Sequence, residues 1–260
     1  GYGRMPMLRD VSMDVPKGFR VFLEAERSRE LSLLINGKDI PAHIQGTVST
    51  PQVFEITNEL RPGDNTCTLR CDNSYPNWPR DAIVFSSAAT DETQTNWNGL
   101  LGFLRLRVEQ DNFISSLRVY PGEECADVAV ELDVSVKYIG KLMLESPAFS
   151  EPAHQEVSLP GGTHTVWFRG IKIADGVVRW DEEQGVLYNM AVIGDELEQY
   201  KTSFGLRTFG GLDRKLALNG RHIFLRSEAN CCVFPETGHM PMTVDEWKSV
   251  LAVYKSYGVN

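Results

Sequence analysis

The sequence predicts a mainly β protein, with two antiparallel sandwiches in succession and one capped helix after them. Three observations carry this. Short stretches alternate apolar and polar residues, Asn-Gly and Pro-Gly dipeptides punctuate them, and no convincing helical period occurs before residue 107.

A chain of 260 residues is long enough for two domains and the beginning of a third. Its hydrophobic content of 42% is that of a soluble globular protein. A net charge of -9 argues against nucleic acid as a partner, because that polyanion binds basic surfaces, but leaves a neutral sugar open. No apolar run approaches the ~18 residues of a membrane span, so no membrane partner is expected. Residues 1–9 hold Arg4 and Arg9 without the apolar stretch of a signal peptide.

In chain order, Phe19, Val21, Leu23 and Ala25 share one parity and predict a half-buried strand. Residues 31–41 predict a hairpin about Asn36-Gly37, a dipeptide suited to the positive φ angles of a two-residue turn. Over 66–72, Cys67, Leu69 and Cys71 alternate with Thr68, Arg70 and Asp72, which places both thiols in the core. Four residues of strand separate those cysteines by roughly 13 Å at ~3.3 Å per residue, too far for a mutual disulfide. All five cysteines, including Cys125 and the adjacent Cys231 and Cys232, are read as free thiols.

The segment 73–81, with Tyr75, Trp78 and two prolines, is too long and polar for a tight turn. It is either a binding loop or a cap on the sandwich end. Residues 89–106 open with polar residues, pass through Asn96-Trp97-Asn98-Gly99 and become apolar, as a loop feeding a strand does. Amides and carboxylates beside an indole suit a sugar, whose hydroxyls need donors and acceptors and whose C–H face needs a flat apolar surface. A turn with one core Trp is the alternative.

Polarity rises around 109–112 and a second set of strands begins. Over 128–136, Val128, Val130, Leu132, Val134 and Val136 are expected to face in, with Glu131, Asp133 and Ser135 out. Gly140 and Pro160-Gly161-Gly162 read as turns, and 186–193 as a further strand, completing a sandwich of immunoglobulin-like size. After residue 203 comes a hairpin about Asn219-Gly220, then a long loop over 227–242. Thr243-Val244-Asp245-Glu246 forms a capping box, followed by Trp247, Val250, Leu251 and Tyr254 at helical spacing and a closing Gly258.

Three stretches resemble glycoside hydrolase family 2, the family of β-galactosidase, β-glucuronidase and β-mannosidase. One is Asp91-Glu92-Thr93-Gln94-Thr95-Asn96-Trp97-Asn98-Gly99. Another is Thr50-Pro51-Gln52-Val53-Phe54-Glu55-Ile56-Thr57, followed by Leu60-Arg61-Pro62-Gly63-Asp64-Asn65. The last is Ser203-Phe204-Gly205-Leu206-Arg207, with Leu218-Asn219-Gly220 and Ile223-Phe224-Leu225-Arg226. Trp180-Asp181 with Leu187-Tyr188 resembles a core-packing segment of the same family. The three stretches stand in the family's order across most of the chain.

The resemblance implies a jelly-roll-like sugar-binding sandwich over 1–107, shortened at its start, and an immunoglobulin-like sandwich over 108–206. The first strand and helix of an incomplete TIM barrel follow over 207–260. It implies a retaining β-glycosidase as parent, β-galactosidase-like, which hydrolyses terminal β-linked sugars. That reaction needs two carboxyls ~5 to 5.5 Å apart. In the family both are glutamates on later barrel strands, so the segment is expected to hold no catalytic residue and to be inactive alone. The one Asn-Glu pair, Asn58-Glu59, reads as a surface pair in a turn.

Family members reach the pocket with the loop before the sugar-binding domain's last strand, which makes Asp91, Gln94, Asn96 and Trp97 substrate-contact candidates. From the loop after the first barrel strand, at the face where barrel active sites form, come Asn230 and His239. Loop-fixing hydrogen bonds are the alternative role for both. Ser227-Glu228-Ala229-Asn230-Cys231-Cys232 departs from the Gly-Val-Asn-Arg-like run of β-galactosidases, so no ligand role transfers by position. Arg226 is either a pocket cation or a structural partner. No cluster has metal-ligand spacing and no phosphate loop or nucleophile triad is visible, so no metal or cofactor is expected. The implied partners are a carbohydrate substrate and the remainder of the chain's own barrel, with room for a homo-oligomeric parent. A two-sandwich carbohydrate-binding or adhesion module without hydrolysis is the rival reading. The compartment is left undetermined.

Overall fold

The computed structural model describes residues 15–26, 28, 30–46, 50–72, 99–100, 102–230, 234–238 and 240–260. The chain divides into two compact units, Gly1–Phe113 and Ile114–Asn260.

The first unit contains β1 (Phe19–Ala25), β2 (Glu30–Ile35), β3 (Lys38–Ile40), β4 (Gln52–Glu55), β5 (Cys67–Asp72) and β6 (Leu104–Gln110). They form two three-stranded sheets, ordered β4-β1-β6 and β3-β2-β5. Val21, Leu23 and Phe54 from the first sheet share one buried cluster with Leu31, Leu33 and Ile35 from the second, so the unit is a sandwich. The Asn36-Gly37 turn closes the β2–β3 hairpin with φ of 52° and 82°, and Ile35 pairs with Lys38. Asn36 also works across the turn. Its side-chain amide donates to the Glu59 carbonyl at 3.0 Å and to Asn65 Oδ1 at 2.9 Å, while its oxygen accepts from the Thr66 amide.

β1 departs from the half-buried expectation, since both of its faces are covered. Phe22 is fully buried, and Arg20 and Glu24 are only 7% and 6% exposed. Neighbouring strands supply the reason. Arg20 pairs with Glu55 at 2.7 Å, and Glu24 accepts from Arg105 at 2.7 Å and Arg107 at 2.6 Å. The Arg20 and Arg107 guanidiniums flank Phe22 at 5.0 and 4.6 Å from its centroid. Parity along one strand cannot foresee a cover contributed some 80 residues away.

Cys67, Leu69 and Cys71 are partly buried against the core, and burial pushes the Cys67 thiol pKa up. Cys67, Cys71 and the exposed Cys125 are free thiols; Cys231 and Cys232 lie outside the described residues.

The second unit is organised by β7 (Asn112–Pro121), β8 (Cys125–Glu145), β9 (Ala153–Lys172), β10 (Tyr188–Gly194) and β11 (Tyr200–Phe204). Their sheet runs β11-β10-β8-β7, with β9 also paired to β8. Val128, Val130, Leu132 and Val134 are at most 2% exposed, as expected, but Val136 is 79% exposed. A register shift between Val134 and Lys137 inserts a bulge that turns Val136 outward. The other parity also differs, because Asp133 is buried at 5%.

Neither glycine signal here is a chain reversal. Gly140 lies inside β8, where a Cβ would stand 2.6 Å from Tyr138 Oη. Pro160-Gly161-Gly162 lies inside β9 opposite the bulge, with Gly162 at φ +123°. The bulge locally bends the long β8–β9 hairpin, and residues on both sides of it, Val130 and Leu132 as well as Leu142 and Leu144, join one core cluster. Leu187, expected in the core, is 60% exposed, whereas Tyr188 packs against the core cluster.

A further sheet follows, ordered β12-β13-β14, from β12 (Phe209–Leu212), β13 (Lys215–Leu218) and β14 (Arg221–His222). β12 had no sequence forecast, because Gly210 and Gly211 blank its alternation. The helix α1 (Val244–Ser256) starts at the forecast capping box: Thr243 Oγ1 accepts from the Glu246 amide and the Glu246 carboxylate accepts from the Thr243 amide. Among the described residues no helix is long and apolar enough to cross a membrane.

Candidate functional site

The segment after β13 gathers the described residues that the sequence marks for a pocket. Asn219 and Gly220, at φ 50° and 75°, turn β13 into β14. Asn219 then ties this hairpin to the rest of its unit, because Oδ1 accepts from the Thr208 amide at 3.0 Å and Nδ2 donates to the Trp180 carbonyl at 3.0 Å. Trp180 is packed from two sides. A Cβ on Gly205 would meet it at 3.0 Å, and the Arg207 guanidinium stands 4.6 Å from its ring centroid. Asp181 next to it accepts from the Glu183 and Gln184 amides, and those bonds, Gln184's first, hold its carboxyl below the usual range.

The extended residues beyond β14 run beside the end of the chain. The Arg226 amide donates to Asn260 Oδ1 at 2.8 Å and the Asn260 amide donates to the Arg226 carbonyl at 3.1 Å. Asn260 Nδ2 adds a bond to the Phe224 carbonyl at 3.1 Å, and Arg226 Nε donates to the Gly258 carbonyl. Asn230 reaches α1, donating from Nδ2 to Tyr254 Oη at 2.6 Å. Phe234 meets Trp247 edge-on with centroids 6.1 Å apart. The loop that leaves Arg226 is thus anchored to the helix at Tyr254 and Trp247.

Between β14, the Asp181 loop and the end of α1 lies a cleft of about 430 Å³, lined among others by Glu182, Arg221, Arg226, Lys255 and Asn260. Glu182 bonds Arg221 at 2.8 Å, and its carbonyl accepts from Lys255 Nζ at 2.7 Å. Its second carboxylate oxygen, Oε2, is buried without a hydrogen-bond partner among the described residues. Of these residues only Arg226 is a sequence candidate; Glu182, Arg221 and Lys255 are far apart in the chain and have no motif spacing.

Of the forecast contact residues, the structure places Arg226 and Asn230, both exposed and both bonded to the helix or the turn after it. Asp91, Gln94, Asn96, Trp97 and His239 lie outside the described residues, as do Tyr75 and Trp78. Asn58-Glu59 falls in a 3-10 turn where Glu59 pairs with Lys38.

A general acid needs a raised carboxyl pKa. The carboxyls clearly displaced among the described residues, Glu24, Glu55, Asp127 and Asp181, are all lowered. Their partners are arginines or backbone amides, so they serve as structural anions. No group of three or more His, Cys, Asp or Glu among the described residues could hold a metal ion.

No family model and no curated protein matches the sequence. Solved structures do. A family 2 β-galacturonidase from Eisenbergiella tayi, bound to galacturonate, superposes with a TM-score of 0.74 at 18% identity, over 93% of this chain and 42% of that one. A Bacteroides uniformis β-glucuronidase gives 0.70 at 17% identity, over 96% and 32%. A putative β-galactosidase from Bacteroides fragilis gives 0.59 at 18% identity, over 80% and 33%. The chain therefore spans less than half the length of these structures. Its fold is one found in family 2 enzymes, the family its sequence motifs resemble.

Proposed function

We propose that this chain, which has a fold found in glycoside hydrolase family 2, is the non-catalytic N-terminal part of a retaining, β-galactosidase-like glycosidase. Its role is to supply scaffold and pocket rim to an enzyme that removes terminal β-linked sugars.

The observation that carries this reading is the exposed apolar surface of the last segment. α1 has no buried residue: Trp247 meets Phe234, but Val244, Leu251 and Val253 are more than half exposed, and Phe224 on the extended run before it is 77% exposed. Covering four large side chains gains ~1.5 to 3 kcal/mol each. Neighbouring strand–helix units of a (β/α)8 barrel give such cover. The first sandwich is then the sugar-binding domain and the core built on β8 and β9 the immunoglobulin-like one.

In this reading Asp91, Gln94, Asn96 and Trp97 of the first domain are substrate contacts, and so are Arg226, Asn230 and His239 after the first barrel strand. The two catalytic carboxyls belong to the rest of the barrel. The named activities of the similar structures, on galacturonides, glucuronides and galactosides, define the sugars to test.

Assaying the parent enzyme and the isolated chain against aryl β-galactoside, β-glucuronide and β-galacturonide tests both halves of the proposal. The parent is expected to turn over at least one, and the chain none. A parent inactive on all of them removes the glycosidase reading, and hydrolysis by the isolated chain removes the non-catalytic one.

A further inference from the structure

The turn that carries Glu182 is fixed at its base and bonds two separate elements at its tip. It lies in the loop over 174–187, between β9 and β10. Arg179 ties that loop back to the sandwich by donating to the Gly122 carbonyl, between β7 and β8, at 2.8 Å, and the Val178 amide donates to Tyr188 Oη of β10 at 2.8 Å. The turn closes on itself: the Asp181 amide donates to the Gln184 carbonyl at 3.1 Å, and Asp181 Oδ1 accepts from the Glu183 and Gln184 amides.

From this fixed backbone Glu182 reaches β14 and the end of α1. Its carboxylate accepts from Arg221 at 2.8 Å, and its carbonyl accepts from Lys255 Nζ, in the last turn of the helix, at 2.7 Å. Both bonds lead to the run after β14. Tyr254, beside Lys255, takes the Asn230 bond, and the Gly258 carbonyl takes the bond from Arg226 Nε. A shift of Lys255 therefore carries to Arg226 and Asn230, and a shift of Arg221 moves the start of the run that holds them. The Glu182 side chain is 14% exposed, and its second carboxylate oxygen is shielded with no partner among the described residues. An acceptor left unmade offsets much of what the Arg221 bond gains. The pair thus contributes little to stability, and its effect is on where β14 and α1 sit.

We infer that Glu182 is a positioning residue: through Arg221 and Lys255 it sets the placement of Arg226 and Asn230, and it does not itself touch the substrate. The inference rests on the glycosidase reading above, in which those two residues are substrate contacts, and deepens it by naming what aims them. Neither is a catalytic group in that reading. Misplacing them weakens binding of ground state and transition state alike, which raises KM and leaves kcat.

Glu182→Ala and Glu182→Gln in the parent enzyme, assayed on whichever aryl glycoside it hydrolyses, are the test. Glu182→Ala is expected to raise KM at least fivefold, with kcat within twofold of wild type and thermal melting unchanged. Glu182→Gln, whose amide oxygen still accepts from Arg221, is expected to recover most of that loss. Lys255→Met removes the second bond at the surface and should also raise KM; it decides the matter should Glu182→Ala not fold. In the chain itself, Glu182→Ala should quicken hydrogen exchange at the Ile223 and Arg226 amides, bonded to Leu216 and Asn260, and leave β8 and β9 unchanged. A KM unchanged in both Glu182→Ala and Lys255→Met overturns the inference, as does a lowered melting temperature with KM unchanged or a loss confined to kcat. Unchanged exchange at Ile223 and Arg226 sinks it even beside an active parent, whereas an inactive wild-type parent sinks the glycosidase reading and leaves exchange to decide whether Glu182 holds the strand.

Discussion

Glu24 and Arg107 meet at 2.6 Å on the outer face of the first sandwich, with the glutamate side chain 8% exposed and the arginine 27%. Arg107 also bonds Glu109 at 2.7 Å, and Arg105 takes the other oxygen of Glu24, so two arginines share one shielded carboxylate. Breaking such a group costs more than the group contributes, because a charge is left without its counterpart.

Glu24→Gln is therefore expected to destabilise the first unit by about 2 kcal/mol, below the full cost of a buried pair because Arg105 is exposed to water. Urea unfolding of the variant against the wild type measures it. A loss under ~0.5 kcal/mol would place this group among ordinary surface pairs.

Acid should abolish that difference. Burial pulls the Glu24 pKa up, but the hydrogen bonds and charges of Arg107 and Arg105 outweigh it and hold the folded carboxyl below the usual carboxylate range. Glu55 is lowered as well, chiefly by its hydrogen bond from Arg20. A depressed folded pKa contributes stability that is complete above the unfolded value and is lost as pH falls through the folded one. The gap between wild type and Glu24→Gln should thus be widest near neutrality and close as pH falls through the depressed folded pKa. A gap that grows on acidification would reverse the assigned sign.

Gly161→Ala should damage the second unit. A Cβ there would lie 2.8 Å from the Ser135 carbonyl oxygen and 3.1 Å from that of Val136, both backbone atoms of the paired strand at its bulge. A cost of about 1 to 3 kcal/mol follows from forcing the strands apart. Gly210→Ala, with nothing within 4 Å, is the control and should melt with the wild type.

Tyr254→Phe removes the oxygen that accepts from Asn230 at 2.6 Å. The expected loss is about 1 kcal/mol, concentrated in the anchoring of the 227–242 loop. Limited proteolysis should cleave that loop faster while leaving cleavage in β8 and β9 unchanged. Equal cleavage of the loop in both proteins would show that Phe234 and Trp247 hold it without this bond.

The sequence by itself determined the mainly β class, the Asn36-Gly37 and Asn219-Gly220 turns and the capped helix. Each follows from backbone chemistry local to a few residues: positive φ at Asn and Gly, a Thr–Glu pair closing the first amides, and side chains alternating along a strand. Ordered motifs added the family likeness. Tertiary structure alone decided where that alternation breaks. Val136 faces water because a bulge in one strand sits opposite Gly161 in another, and both faces of β1 are covered because Arg105 and Arg107 arrive from a distant strand. Apart from Arg226, the lining of the Glu182 cleft was silent in the sequence for the same reason. Its members are scattered along the chain, and only strand register and loop packing bring them within bonding distance.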